Sequence, residues 1–127
     1  GAVRIGHGIR SASDKALMDT LSEKGIYLEM CYSSNMQTHA VDKSQDYPLR
    51  LFIDRGVNVT INTDNMTVSG TTLKREYQIL QKQFAFTENE LKSLALNSAY
   101  AAFLPEADKR LLYDKVNSEF GRWFNAI

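Results

Sequence analysis

Three short polar clusters carry the groups in this sequence able to do chemistry: Gly6-His7-Gly8, Ser33-Ser34-Asn35 and Asn62-Thr63-Asp64-Asn65. An imidazole, whose ordinary pKa is about 6.5, can hold or give a proton at neutral pH, and the glycines on both sides of His7 let backbone and ligand approach closely. Asp64 offers a carboxylate, and Asn65 an amide with both donors and an acceptor. Each also has a plainer reading: a strand-end histidine bonded within its loop, an aspartate that turns the chain, an asparagine that does the same. Ser33, Ser34 and Asn35 read more readily as turn caps than as pocket walls. His39 lies in a polar connection and reads as solvated, and Cys31 reads as a buried apolar residue.

The elements that position these clusters follow from the apolar pattern. Ala2 to Ile5 is a strand-like run ending at His7. Ser13 or Ser11 then caps a helix whose apolar positions Ala16, Leu17 and Leu21 fall at helical spacing, and Gly25 ends it. Ile26 to Cys31 is a second strand, dissolving into Ser33-Ser34-Asn35. After a polar stretch from Gln37 to Asp46, Pro48 opens a helix with Leu49, Phe52 and Ile53 on its apolar face, closed by Gly56. Val57 to Ile61, rich in β-branched residues, is a third strand running into Asn62-Thr63-Asp64-Asn65. Strand, helix, strand, helix, strand is the pattern of parallel βαβ units. From Thr71 onward the pattern is helical: Leu73, Tyr77 and Leu80 share a face, a Thr87-Glu90 capping box opens Leu91 to Phe103, and Pro105 starts a last helix. The expected organisation is one unit over 1–127, a βαβαβ part over 1–70 and a helical part over 71–127. The three polar clusters then sit at the C-terminal ends of three parallel strands, where barrels place active sites and open sheets bind ligands.

Composition narrows the class. The 127 residues are 43% hydrophobic and 24% charged, ordinary for a globular domain. Fifteen Lys+Arg against fifteen Asp+Glu give zero net charge, which argues against nucleic acid or an anionic membrane held by bulk charge. A single cysteine forms no internal disulfide and fits a reducing compartment, so the expected location is cytoplasmic. No apolar run approaches the roughly 20 residues of a membrane span.

Arg4-Ile5-Gly6-His7-Gly8, Glu29-Met30-Cys31-Tyr32-Ser33-Ser34-Asn35 and Asn62-Thr63-Asp64-Asn65, in this order and spacing, resemble the adenosine deaminase family, and Thr67-Val68-Ser69-Gly70-Thr71-Thr72-Leu73 is similar to its bacterial members. The resemblance implies an α/β fold, the C-terminal part of a (β/α)8 TIM-type barrel, with strands six to eight present. It implies that Asp64 is a metal ligand, binding the catalytic Zn2+, and that His7 is catalytic, stabilising the attacking hydroxide and moving protons. Asn65 stands where one form of the motif has a second aspartate that binds the purine ring, so it is the substrate-binding candidate. The implied reaction is zinc-dependent hydrolysis of adenosine to inosine with release of ammonia. A different deaminase architecture, with H-x-E and P-C-x-x-C signatures, is excluded because neither is present.

The family's H-x-H pair, its further zinc histidine and its glutamate proton donor have no match here, since the chain has two histidines. The expectation is therefore a portion of the enzyme, inactive alone and without tightly bound zinc, because one carboxylate cannot replace a three- or four-ligand site. Two alternatives stand beside it: a non-catalytic α/β oligomerising module, and a related adenine or aminopurine deaminase. The expected partners are a purine nucleoside and a second copy of the chain, through an open barrel edge where Val3, Ile5, Leu28, Met30, Val59 and Ile61 would be exposed.

Overall fold

The computed structural model describes residues 1–126. Three short strands, β1 (Arg4–Gly6), β2 (Tyr27–Met30) and β3 (Val59–Ile61), form one parallel sheet in the order β1-β2-β3. Leu28 of the middle strand is in register with Ile5 on one side and Val59 on the other. Each strand is shorter than its apolar run, because Ala2, Val3, Ile26, Val57 and Asn58 lead into the ladder rather than belonging to it.

Helix α1 (Lys15–Glu23) connects the first two strands. Its cap is Asp14, not Ser11 or Ser13, which fall in a preceding 3-10 turn over Ile9–Ser13. The Asp14 side chain accepts a hydrogen bond from the Leu17 amide at 3.0 Å, and a carboxylate is further favoured by the helix dipole. The buried residues of α1 are Met18 and Leu21, whereas Leu17 is 41% exposed, so the apolar face is rotated by one residue from the expected one. A short helix, α2 (Tyr32–Gln37), leaves β2 directly, where the sequence suggested only a turn. Helix α3 (Leu49–Asp54) follows Pro48 as expected, with Leu49 and Phe52 fully buried and Ile53 packed alongside. Gly25 and Gly56 end the two crossovers in left-handed conformation, at φ 63° and 74°.

After β3 the chain is helical: α4 (Met66–Ser69), α5 (Leu73–Phe84), α6 (Glu88–Ala101) and α7 (Glu106–Asn125). The Thr87–Glu90 capping box is formed, and α7 follows Pro105. Tyr77 of α5 makes edge-on aromatic contacts with Phe120 and Trp123 of α7.

One hydrophobic cluster joins sheet and helices, and it corrects the expected exposed patch. Leu28, Met30 and Val59 are fully buried and Ile61 is 5% exposed, packed in the cluster that holds Leu21, Phe52, Leu80 and Leu91. The reason is strand parity: these residues point to the helix layer. The other face carries Arg4, Gly6, Tyr27, Glu29 and Thr60. Arg4 Nε lies 3.6 Å from Glu29 Oε2, and its guanidinium stacks 3.6 Å over the Phe103 ring. Of the six expected residues only Val3 (54%) and Ile5 (36%) remain exposed, at the β1 edge. On the β3 side, Asn97 of α6 donates to the Val59 carbonyl at 2.9 Å.

Candidate active site

His7 follows β1 at once and Asp64 stands three residues beyond the end of β3, and both adopt left-handed backbone, at φ 58° and 56°. For residues with a Cβ this costs about 1–2 kcal/mol, and such positions gather where a side chain must be aimed. The His7 amide donates to the Glu29 carbonyl at 2.8 Å, which anchors the turn to β2. Gly8 follows at φ 72°, where a Cβ would stand 2.6 Å from Leu28 Cδ2, so glycine is required by both conformation and space.

Because β2 is the middle strand, the helix leaving it stands between the other two strand ends. Ser34 Oγ donates to Asp64 Oδ2 at 2.8 Å, and Asn35 Nδ2 lies 3.2 Å from His7 Nδ1. His7 Nε2 lies 3.5 Å from the same Asp64 Oδ2. The serine and asparagine are buried, at 6% and 3% exposure, while the imidazole and carboxylate are 41% and 45% exposed. His7, Gly8, Arg10, Ser34, Asn35 and Asp64 line a common cavity of about 400 Å³. Sequence reasoning put His7 and Asp64 at one end of the sheet, and the structure brings them together. It undervalued Ser34 and Asn35. The signal available was their place at the end of the middle one of three parallel strands, but strand order is not written in strand sequence.

A further buried group was missed. Glu76 of α5 is fully buried, accepting from Thr71 Oγ1 at 2.9 Å and from the Ser33 amide at 3.3 Å. It ties the start of α2, and so Ser34 and Asn35, to the helical half.

Asn65 caps α4, its Oδ1 accepting from the Val68 amide at 3.0 Å, and it is not among the residues that line the His7–Asp64 cavity. His39 is 82% exposed beside Asp42. Cys31 is buried at the β2–α2 joint; burial, with the Asp64 and Glu76 carboxylates nearby, pushes its thiol up to about 12. Among the described residues no three His, Cys, Asp or Glu side chains cluster to hold a metal ion. No helix among them is long and apolar enough to cross a membrane.

Parallel strands joined by helices, with polar side chains gathered beyond their C-terminal ends, define one arc of a (β/α)8 enzyme barrel, a class whose active sites lie on this rim. The crystal structure of an adenine deaminase from Arthrobacter aurescens superposes with a TM-score of 0.88 at 33% identity, over 94% of this chain and 36% of that one. An amidohydrolase from Burkholderia ambifaria, solved with bound Zn, shares the fold at a TM-score of 0.83 and 21% identity, over 94% of this chain and 34% of that one. The chain belongs to the adenosine deaminase family, a hydrolase family whose model matches residues 1–119. It is 48% identical over 120 residues to an adenosine deaminase of Haemophilus ducreyi, covering 94% of this chain and 35% of that protein. An adenosine deaminase of Enterococcus faecalis is 42% identical over 120 residues, covering 94% of this chain and 36% of that protein. The chain thus spans about a third of the length of these relatives.

Proposed function

We propose that this chain forms one side of the active site of a purine deaminase that hydrolyses adenosine to inosine and ammonia. The observation that carries this reading is the rim triplet: His7 and Asp64, each beyond the end of a strand, meet at 3.5 Å, with Ser34 fixing the carboxylate from the helix that leaves the middle strand.

The donor set fits zinc in part. The Asp64 carboxylate is half exposed toward the cavity and is a suitable oxygen ligand, but one carboxylate beside one imidazole is short of the three protein ligands a catalytic zinc takes. Further ligands would have to join Asp64 to complete such a site, and the expected zinc content of the chain alone is well below one per molecule. When bound, the metal supplies a water made acidic enough to be hydroxide near neutral pH. The chain's own residues do the rest. Ser34 keeps Asp64 oriented. His7 holds a proton at the rim and stabilises negative charge on the attacking oxygen. Asn65 donates its amide N–H to a purine ring nitrogen, a bond a carboxylate could offer only when protonated. Water adds at the purine carbon bearing the amino group, a proton passes to the leaving nitrogen, and ammonia departs.

The Arthrobacter structure favours a second reading, in which the substrate is a free aminopurine base such as adenine. A chimera decides. Residues 1–119 replace the matching third of the Haemophilus ducreyi enzyme, and ammonia release is measured with adenosine and with adenine. Turnover of adenosine with the higher kcat/KM supports the proposal; preference for adenine supports the second reading; a folded, zinc-loaded chimera inactive on both overturns the two.

Two further expectations rest on the chain itself. A single buried cysteine suits a reducing, cytoplasmic setting. Self-association now rests on the β1 edge alone, where Val3 and Ile5 are exposed, and one monomeric species in sedimentation at micromolar concentration would dismiss it.

A further inference from the structure

We propose that Asn35 sets the tautomer of His7, keeping Nδ1 bare and the ring proton on Nε2, facing Asp64. Asn35 is therefore a positioning residue: its use in catalysis rests on the deaminase reading above, but the tautomer rests on geometry alone.

Asn35 is 3% exposed and its backbone is held on both sides, its amide donating to the Cys31 carbonyl at 2.9 Å and its carbonyl accepting from the Val41 amide at 3.3 Å. Its side chain has little freedom, and the nitrogen it presents to His7 Nδ1 at 3.2 Å is a donor. A donor there requires an unprotonated Nδ1, and a neutral imidazole then carries its proton on Nε2.

The other end of the ring agrees independently. Nε2 lies 3.5 Å from Asp64 Oδ2, and an ionised carboxylate only accepts. A bare Nε2 would set two lone pairs against each other, whereas Nε2–H is attracted. Ser34 donates to that same oxygen at 2.8 Å, so the oxygen facing Nε2 is already in use as an acceptor.

Reversing the Asn35 amide would turn its carbonyl to Nδ1–H, but at a greater cost. In the present orientation only the acceptor Oδ1 is buried without a partner. Reversed, the buried orphan would be an NH2 with two donors, and buried N–H groups are left unpaired more rarely than carbonyls. The left-handed backbone at His7 completes the constraint by fixing where the ring starts.

The consequence is that the site presents a hydrogen-bond donor, not a base, from His7 to Asp64 and to any oxygen held beside it.

The test is nitrogen NMR of the chain labelled with 15N-histidine, at a pH where both imidazoles are neutral. His39, 82% exposed and with its Nδ1 3.7 Å from Asp42 Oδ1, gives a second, solvent-facing histidine signal against which His7 is assigned. The expected His7 spectrum is that of a single tautomer, with Nδ1 bare and Nε2 protonated. Asn35→Asp, which places only acceptors at Nδ1, moves the proton to Nδ1, and Asn35→Ala admits a measurable share of the Nδ1–H tautomer. Ser34→Ala leaves the His7 tautomer unchanged, since it touches only Asp64. A proton on Nδ1 in the unsubstituted chain overturns the proposal by itself, even if neither Asn35 variant folds. So does a folded Asn35→Asp variant whose tautomer is unmoved. An active chimera with the wrong tautomer rejects this inference and leaves the proposed function standing; an inactive chimera with the right tautomer does the reverse.

Discussion

Strand β2 and the two residues beyond its helix-starting turn show two regions of the molecule built by opposite rules. Leu28 and Met30 are fully buried in a cluster shared by sheet and helices, in relaxed strand conformation. A few residues away the rim gathers His7 and Asp64, both in left-handed backbone, both nearly half exposed, and held by single hydrogen bonds from buried Ser34 and Asn35. The helix-facing layer stabilises; the rim costs stability and supplies reactive groups. Substitutions should therefore separate the two, moving stability in one region and activity in the other.

The largest expected effect is Asp64→Asn in the chimera, which keeps an acceptor for Ser34 and a side chain that tolerates left-handed backbone: deamination falls below detection while stability shifts by less than about 1 kcal/mol. A loss of several kcal/mol in a denaturant titration would show the rim to be structural and break the comparison. Next is Leu28→Ala, expected to cost about 2–5 kcal/mol by leaving a cavity under the sheet, with kcat retained in whatever fraction folds. Gly8→Ala sharpens the contrast, because Gly8 is where the regions touch. The added Cβ meets Leu28 Cδ2 at 2.6 Å and φ is 72°, so we expect about 1–3 kcal/mol lost together with activity, read by the same two assays. The smallest effect belongs to neither region. Glu90 is partly exposed, and its hydrogen bond from Arg50 holds its carboxyl below the usual range. A depressed folded-state value gives a contribution present above the unfolded pKa and lost as pH falls through the folded one. Glu90→Gln should remove that small acid-side slope in the denaturation midpoint and leave neutral-pH activity unchanged.

Much of the fold was legible because its signals are local. Gly25 and Gly56 stop helices by a conformation glycine adopts freely, Thr87 and Glu90 cap within four residues, and Pro105 precedes its helix by one. What depended on distant partners was not legible. Whether Leu28 faces helices or the opposite side is decided by what packs there, so the expected exposed patch had the wrong parity. Asp14 was passed over because two serines upstream offered equally good caps. The rim was half legible: His7 and Asp64 stand at strand ends in the sequence, but the roles of Ser34 and Asn35 depend on β2 lying in the middle, and that of Glu76 on a contact 43 residues from Ser33.

Cys31, the one thiol in the chain, sits at the joint from which Ser34 and Asn35 reach the rim. With its pKa pushed up to about 12 by burial, the group is held as the thiol rather than the reactive thiolate. A thiol reagent therefore finds almost nothing to attack until the joint opens and the sulfur regains water. The rate at which reagent is consumed becomes a clock for local opening of the β2–α2 segment, and it requires no engineered label.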